Sequence, residues 1–366
     1  MERRAEFDLL TLFSRTALGG EQEVRAEALL GEDLDWGYLG AIAGYHGVQP
    51  LLYYHLRRLA PELLAVEPLD RLRAVVGARS AHGLVLVHEL GRLAGVFERE
   101  GLPVIAMKGP VLAQSIYGGI ALRPFVDLDL VIDRARFDEA NRILEGEGYE
   151  SRELTPFQKR SYLFIHGQFT FWRRMASVGS ALAVIDLHTA IMPPGYSYTE
   201  DFGDLLRRSG TMKFGASETR VLETVDLLEV LCYHGFKNRW DRLKYIADVA
   251  ELLRATPELN WDAVYARARA MRSSRVLWLG LSLAERVLDA PVPERVSRDV
   301  HADRHVMSLS EEIVERLPQQ AHMRVEPYLD RVRLNILAQD SLLGRLRYGA
   351  YATARRISEL YIPEGD

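Results

Sequence analysis

The chain has 366 residues, enough for two or three domains and a sizeable buried core. At 48% hydrophobic and 27% charged it is no disordered polymer, and a formal net charge of −5 argues against a general nucleic-acid binder or a membrane-surface protein. One cysteine, Cys232, excludes an internal disulfide and a multi-cysteine zinc site, and fits a reducing, cytoplasmic setting.

Glu6 and Asp8 interrupt the first stretch, which makes it a poor signal peptide. No apolar run approaches the ~20 residues needed to span a bilayer, so no membrane partner is expected. Residues 1–73 read as an N-terminal helical region. Leu9, Leu10, Leu12 and Phe13 begin one amphipathic run, Ala26, Leu29 and Leu30 another, and Asp33 to Asp35 can cap a third through Trp36, Leu39 and Ile42. Gly47 and Pro50 mark a break before Leu51.

Residues 74–195 read as a small mixed α/β core. A long helix over 74–100 stops at Gly101, and Val104 to Met107 form a first strand. Lys108-Gly109-Pro110 is a turn, Val111 to Tyr117 a short helix, and Gly118-Gly119 a loop. A second strand, Phe125-Val126-Asp127-Leu128-Asp129-Leu130-Val131-Ile132, follows Arg123-Pro124. A helix to Leu144 and a pair of strands come next: Phe169 to Arg173, and Leu182 to His188, joined across Gly179. Pro193-Pro194-Gly195 looks like a boundary, and residues 196–366 read as a C-terminal helical domain. The expected fold class is α+β, a small mixed sheet flanked on both sides by helices.

The chemistry sits on the second strand. Residues i and i+2 of a strand share a face, so Asp127 and Asp129 stand side by side with Cα atoms roughly 6.6 Å apart. Two carboxylates on one face of a buried strand repel each other and resist desolvation unless a cation or proton lies between them. Mg²⁺, or Mn²⁺ in its place, takes carboxylate and phosphate oxygens together. Asp186, mid-strand between Ile185 and Leu187, is the best third ligand or a general base. His188, two residues on, shares its face and can orient Asp186 or touch a phosphate; His166 is a weaker candidate of the same kind.

Only five of the 46 basic residues are lysines, and three of them fall near this chemistry. Gly109 permits close approach of a phosphate to the backbone, and Lys108 and Arg123 can neutralise triphosphate charge. No GxxxxGK[ST] pattern occurs, so the Walker reading fails. His234, Lys237, Asp241, Lys244 and Asp248 form one polar stripe if their helix is continuous, beside an apolar stripe of Trp240, Leu243, Ala247 and Ala250. On that reading Lys237, Arg239 or Lys244 reaches a bound nucleotide; the plainer reading is a solvated face.

KGPVLAQSIYGG, then LRPFVDLDLVI, then VIDLH, resemble the uncharacterised bacterial nucleotidyltransferases of the polymerase-β-like superfamily. WGYLGAIAGYHGVQPLLYYHL and YHGFKNRWDRLKYIADVAELL extend the resemblance along most of the chain. It implies that the family's Asp pair falls on Asp127 and Asp129, its third acidic residue on Asp186 and the adjoining histidine on His188. The wider superfamily has Gly-Ser or Gly-Gly at the turn where this chain has Gly109-Pro110, so a serine phosphate contact is missing. The implied activity is Mg²⁺-dependent transfer of an NMP from an NTP, such as ATP, to a hydroxyl-bearing acceptor with loss of pyrophosphate. The alternatives are a toxin or regulator that modifies a protein or RNA, and a catalytically silent nucleotide-binding or interaction protein.

Overall fold

The computed structural model describes residues 5–361, apart from 66, 68, 176–181, 194, 197–199, 216 and 323–327. Gly179 and Pro194 lie outside the described residues. A seven-stranded mixed sheet crosses the molecule: β1 (Ile105–Ala106), β2 (Leu128–Val131), β3 (Glu150–Ser151), β4 (Gln168–Arg174), β5 (Leu182–His188), β6 (Gly210–Phe214) and β7 (Ser217–Val221), in the order β3-β4-β5-β2-β1-β7-β6. β2 runs parallel to β5 with Asp129 opposite Asp186, and antiparallel to β1. β4 and β5 pair antiparallel along their length, Thr170 opposite Asp186, as their alternation predicts.

Alternation sorts the sheet into two faces. Leu128, Leu130, Ala183, Ile185, Leu187, Phe169 and Phe171 point into a core closed by Leu86, Leu90, Leu93 and Phe97 of the helix Asp70–Arg99. That helix is 30 residues long and lies against β6 and β7. Gly91 makes the approach possible: a Cβ there would stand 2.5 Å from the Phe214 carbonyl oxygen. Buried Glu89 ties the helix to the sheet, accepting from Tyr149 Oη at 2.7 Å and Arg173 Nη2 at 2.8 Å.

The opposite face carries the polar residues and meets the helical body. The helices Ala5–Phe13, Gly20–Leu30, Trp36–His46 and Gln49–Leu59 share one continuous core with the helices Thr224–Lys237, Leu243–Ala255 and Ser274–Leu288. Asp35 caps its helix by accepting from the Tyr38 N–H, as its position predicts, and Gly47 ends that helix at φ +73°. His46 Nδ1 accepts from the Leu243 N–H at 3.2 Å, which stitches the two ends of the chain together. The molecule is thus of α+β class, a mixed seven-stranded sheet between N- and C-terminal helical regions.

Three expectations need correction. Beyond residue 195 the chain is not helical throughout: β6 and β7 form a hairpin over Gly210 to Val221 that completes the sheet. The stretch from His234 to Asp248 is not one helix. It breaks after Lys237, where Arg239 and Trp240 both take positive φ, and resumes at Leu243. The second strand is shorter than Phe125 to Ile132: β2 begins only at Leu128, and Val126 ahead of it is 65% exposed.

Candidate metal and nucleotide site

The site is built where the end of β1, the start of β2 and the second half of β5 meet the helical body. Parallel pairing sets Asp129 beside Asp186, and strand alternation turns His188 to the same face. One ligand atom from each of Asp129, Asp186 and His188 lies within 4.8 Å of the other two. Asp129 is buried; His188 Nε2 donates to its Oδ1 at 3.0 Å and Lys108 Nζ donates to the same oxygen at 2.9 Å. Burial opposes ionisation, but Lys108 and His188 hold Asp129 well below the usual carboxylate range. Asp186 accepts from Thr170 Oγ1 at 2.6 Å and from Gln168 Nε2 at 3.0 Å, which fixes both oxygens.

Asp127 is not part of this triplet. It precedes β2, lines the same cleft, and is pushed up to about 6 by burial and then by the Asp129 and Asp186 carboxylates. The sequence pairing of Asp127 with Asp129 is therefore one of shared cleft rather than shared strand.

The Lys108-Gly109 turn stands at the cleft floor. The Met107 N–H donates to the Asp129 carbonyl at 3.1 Å, so the end of β1 carries Lys108 to Asp129. Gly109 adopts φ 50°, ψ −116°, and a Cβ there would lie 3.2 Å from the Asp127 carbonyl oxygen. The helix beyond it, Pro110–Ser115, has six residues, and its Val111 and Ala113 N–H groups donate to the carbonyls of Lys108 and Gly109. With Pro110 lacking an N–H, few free backbone donors remain at this turn.

Arg123 is gripped by Asp248 through paired bonds, Nε to Oδ1 at 2.7 Å and Nη2 to Oδ2 at 2.8 Å, and Tyr117 Oη donates to the same carboxylate at 2.9 Å. Its role in the geometry is to fasten the approach to β2 onto the helix Leu243–Ala255. Lys244 lines the cleft together with Arg79, Arg242 and Tyr245, and burial with the Arg123 charge pushes its ammonium down. The cleft has a volume of about 320 Å³. Lys237 does not line it; Lys237 lies beyond Gln168, donating to Gln168 Oε1 at 3.4 Å. His166 lines that same far side.

Sequence reasoning placed His234 and Asp248 only on a polar stripe, and it missed Gln168, Thr170 and Arg242. His234 Nδ1 lies 3.4 Å from Lys108 Nζ, and burial together with the Lys108 charge keeps its imidazole far below its usual pKa, hence neutral and able to accept. Gln168 and Thr170 had a signal in principle, since antiparallel pairing with β5 predicts which β4 residues flank Asp186.

Two carboxylates and an imidazole converging within one ion's reach suit a divalent cation. No curated protein matches the chain. A solved structure, an antigenic nucleotidyltransferase-like protein from Paracoccidioides brasiliensis, is similar over 62% of this chain and 92% of its own, at 13% identity and a TM-score of 0.35. A family model described as "Uncharacterised nucleotidyltransferase" matches residues 32–289, from the third N-terminal helix past the helix Ser274–Leu288, and so spans every strand of the sheet. The chain belongs to that nucleotidyltransferase family, within the polymerase-β-like superfamily.

Proposed function

We propose that the protein transfers a nucleoside monophosphate from an NTP to a hydroxyl-bearing acceptor, with Mg²⁺ or Mn²⁺, releasing pyrophosphate. The observation that carries this reading is the convergence of Asp129, Asp186 and His188 beside a cleft floored by Lys108 and Gly109. A divalent ion held by Asp129, Asp186 and His188, with the Asp127 carboxylate in the cleft beside it, would neutralise phosphate charge and sharpen the acceptor hydroxyl as a nucleophile. Lys108 and Lys244 bind triphosphate oxygens, and Arg123 holds the cleft wall in place through Asp248. Asp186, oriented by Thr170 and Gln168, takes the proton of the attacking hydroxyl. Much of the catalysis is then positioning and charge neutralisation in a partly dry cleft. The buried thiol of Cys232 suits a reducing, cytoplasmic location.

One observation favours the rival reading, a nucleotide-binding protein without chemistry: Asp129 Oδ1 already accepts from both Lys108 and His188. Incubation with each α-labelled NTP, Mg²⁺ or Mn²⁺ and cell extract separates the two. Transfer predicts a labelled product, reduced at least a hundredfold by Asp186→Asn. Binding of NTP with no product and no pyrophosphate, under every nucleotide and ion, would install the rival.

A further inference from the structure

A second pocket lies on the other side of Asp186. Tyr162 and His166 of the helix Pro156–His166, Gln168 of β4, Lys237 at the end of its helix, and Tyr351 and Arg355 of the helix Leu342–Tyr361 enclose about 290 Å³. Sheet order makes its position meaningful. β5 lies between β4 and β2, so Gln168, which lines the second pocket, and Asp129, which lines the first, stand on the strands either side of Asp186. Gln168 bridges the second pocket to the first, its Oε1 accepting from Lys237 and its Nε2 donating to Asp186 Oδ2.

The two pockets differ in charge. Asp127 and Asp129 line the first, amid Arg79, Lys108, Arg123, Arg242 and Lys244. Two cations and three aromatic rings line the second, and no carboxylate does among the described residues. Tyr162 and His166 stack with centroids 4.1 Å apart, giving this pocket a flat aromatic wall. We infer that the second pocket is the acceptor subsite, and that it takes a small hydroxyl compound carrying a carboxylate or phosphate, which Lys237 and Arg355 bind.

This assignment rests on the transferase reading and adds to it. In-line displacement at phosphorus needs the nucleophile and the leaving group on opposite sides of the α-phosphate. Pockets lined from the strands either side of Asp186 provide those sides. The acceptor oxygen forms its bond to the α-phosphorus, the bond from that phosphorus to the α,β-bridging oxygen breaks, and pyrophosphate leaves on the Lys108 side. The hydroxyl proton passes to Asp186. Lys237 gives independent support: burial, then the Lys108 and Arg355 charges, push its ammonium down to about 8, a cost that a bound anion relieves. A volume near 290 Å³ fits a small molecule or a small headgroup rather than a broad polymer surface.

The test is isothermal titration of the full chain with glycerol 3-phosphate and, separately, glycerate, with and without saturating Mg²⁺·α,β-methylene-ATP. The expected result is binding of at least one probe alongside the nucleotide analogue, weakened at least tenfold by Lys237→Ala combined with Arg355→Ala and retained by Lys237→Arg. Affinity for the analogue should stay within twofold in all variants. Thermal melting of each variant shows that the fold is intact, and the Lys237→Arg arm holds even if the double variant unfolds. Competition between probe and analogue, equal probe binding by the alanine variant, no binding of either probe, or a loss of analogue affinity in that variant would each overturn the acceptor assignment. Failure of the wild type to bind the α,β-methylene analogue of any of the four NTPs would instead overturn the transferase reading, and the acceptor role with it.

Discussion

Two residues show how much of the site is positional rather than catalytic. Arg123 and Asp248 form a bidentate pair with little exposure, and Tyr117 completes the carboxylate's bonding. Removing one partner of a buried pair leaves the other charge uncompensated, at a cost of about 3 to 5 kcal/mol. Arg123→Ala should therefore lower stability by roughly that amount in urea unfolding, and Arg123→Lys by less, since an ammonium retains the charge but not the fork. An unchanged midpoint for Arg123→Ala would remove the pair from the framework. Gly109 is positional in another sense: φ 50° with ψ −116° is open to glycine and strained for any other residue, and the Asp127 carbonyl leaves little room. Gly109→Ala should cost about 1 to 3 kcal/mol and weaken nucleotide binding as well, by shifting Lys108 away from Asp129.

At the scale of elements, the broken helix between Lys237 and Leu243 decides what each lysine can reach. A continuous helix would have put Lys237 and Lys244 on one face; the break sends Lys244 to the first cleft and Lys237 to the second pocket. Neither Gly nor Pro announces this break. Arg239 and Trp240 carry positive φ, unusual for bulky side chains, and the fully buried Trp240 side chain is the compensation. That information is tertiary, which is why the polar stripe misread the segment. By contrast the strand that carries Asp129, the Lys-Gly turn before it and the β4–β5 pairing were legible, because period-two alternation and turn residues are local signals. The β6–β7 hairpin was not: its strands are half exposed, and their weak alternation is easily taken for a loop between helices. The helix Thr224–Lys237 also yields a pH prediction. Burial, with the Asp226 carboxylate and against Arg267, pushes Glu229 up to about 8 from about 4.5. The folded state therefore holds this proton more tightly than the unfolded chain does. The contribution to stability is complete below about pH 4.5 and is lost as pH rises toward 8. Glu229→Gln should melt progressively higher relative to wild type between those limits, and a gap that does not change with pH would contradict the assignment.

Across the whole molecule, the first four helices are structurally part of the C-terminal body rather than an appendage, since both contribute to one core and meet at His46 and Leu243. A chain begun at residue 70 should lose its single cooperative thermal transition, because the helices that wall the first cleft would expose apolar faces to water. A sharp transition of undiminished amplitude would show that the two regions fold separately. The same architecture explains why the site needed three dimensions to be read: Lys108, Asp129, His188, His234 and Lys244 come from segments far apart in sequence, brought together only where the sheet meets the helical body. Asp127 and Asp129 were singled out by their spacing, although only Asp129 proved to lie on the strand, whereas Gln168, Thr170 and the second pocket depend on strand pairing and on a distant helix. The most direct test of the central claim is electron paramagnetic titration of Mn²⁺ in the presence of ATP. The account predicts tight Mn²⁺ binding by the wild type, weakened at least tenfold by Asp129→Asn and by Asp186→Asn with both variants folded. Equal Mn²⁺ affinity in the wild type and both variants would contradict it.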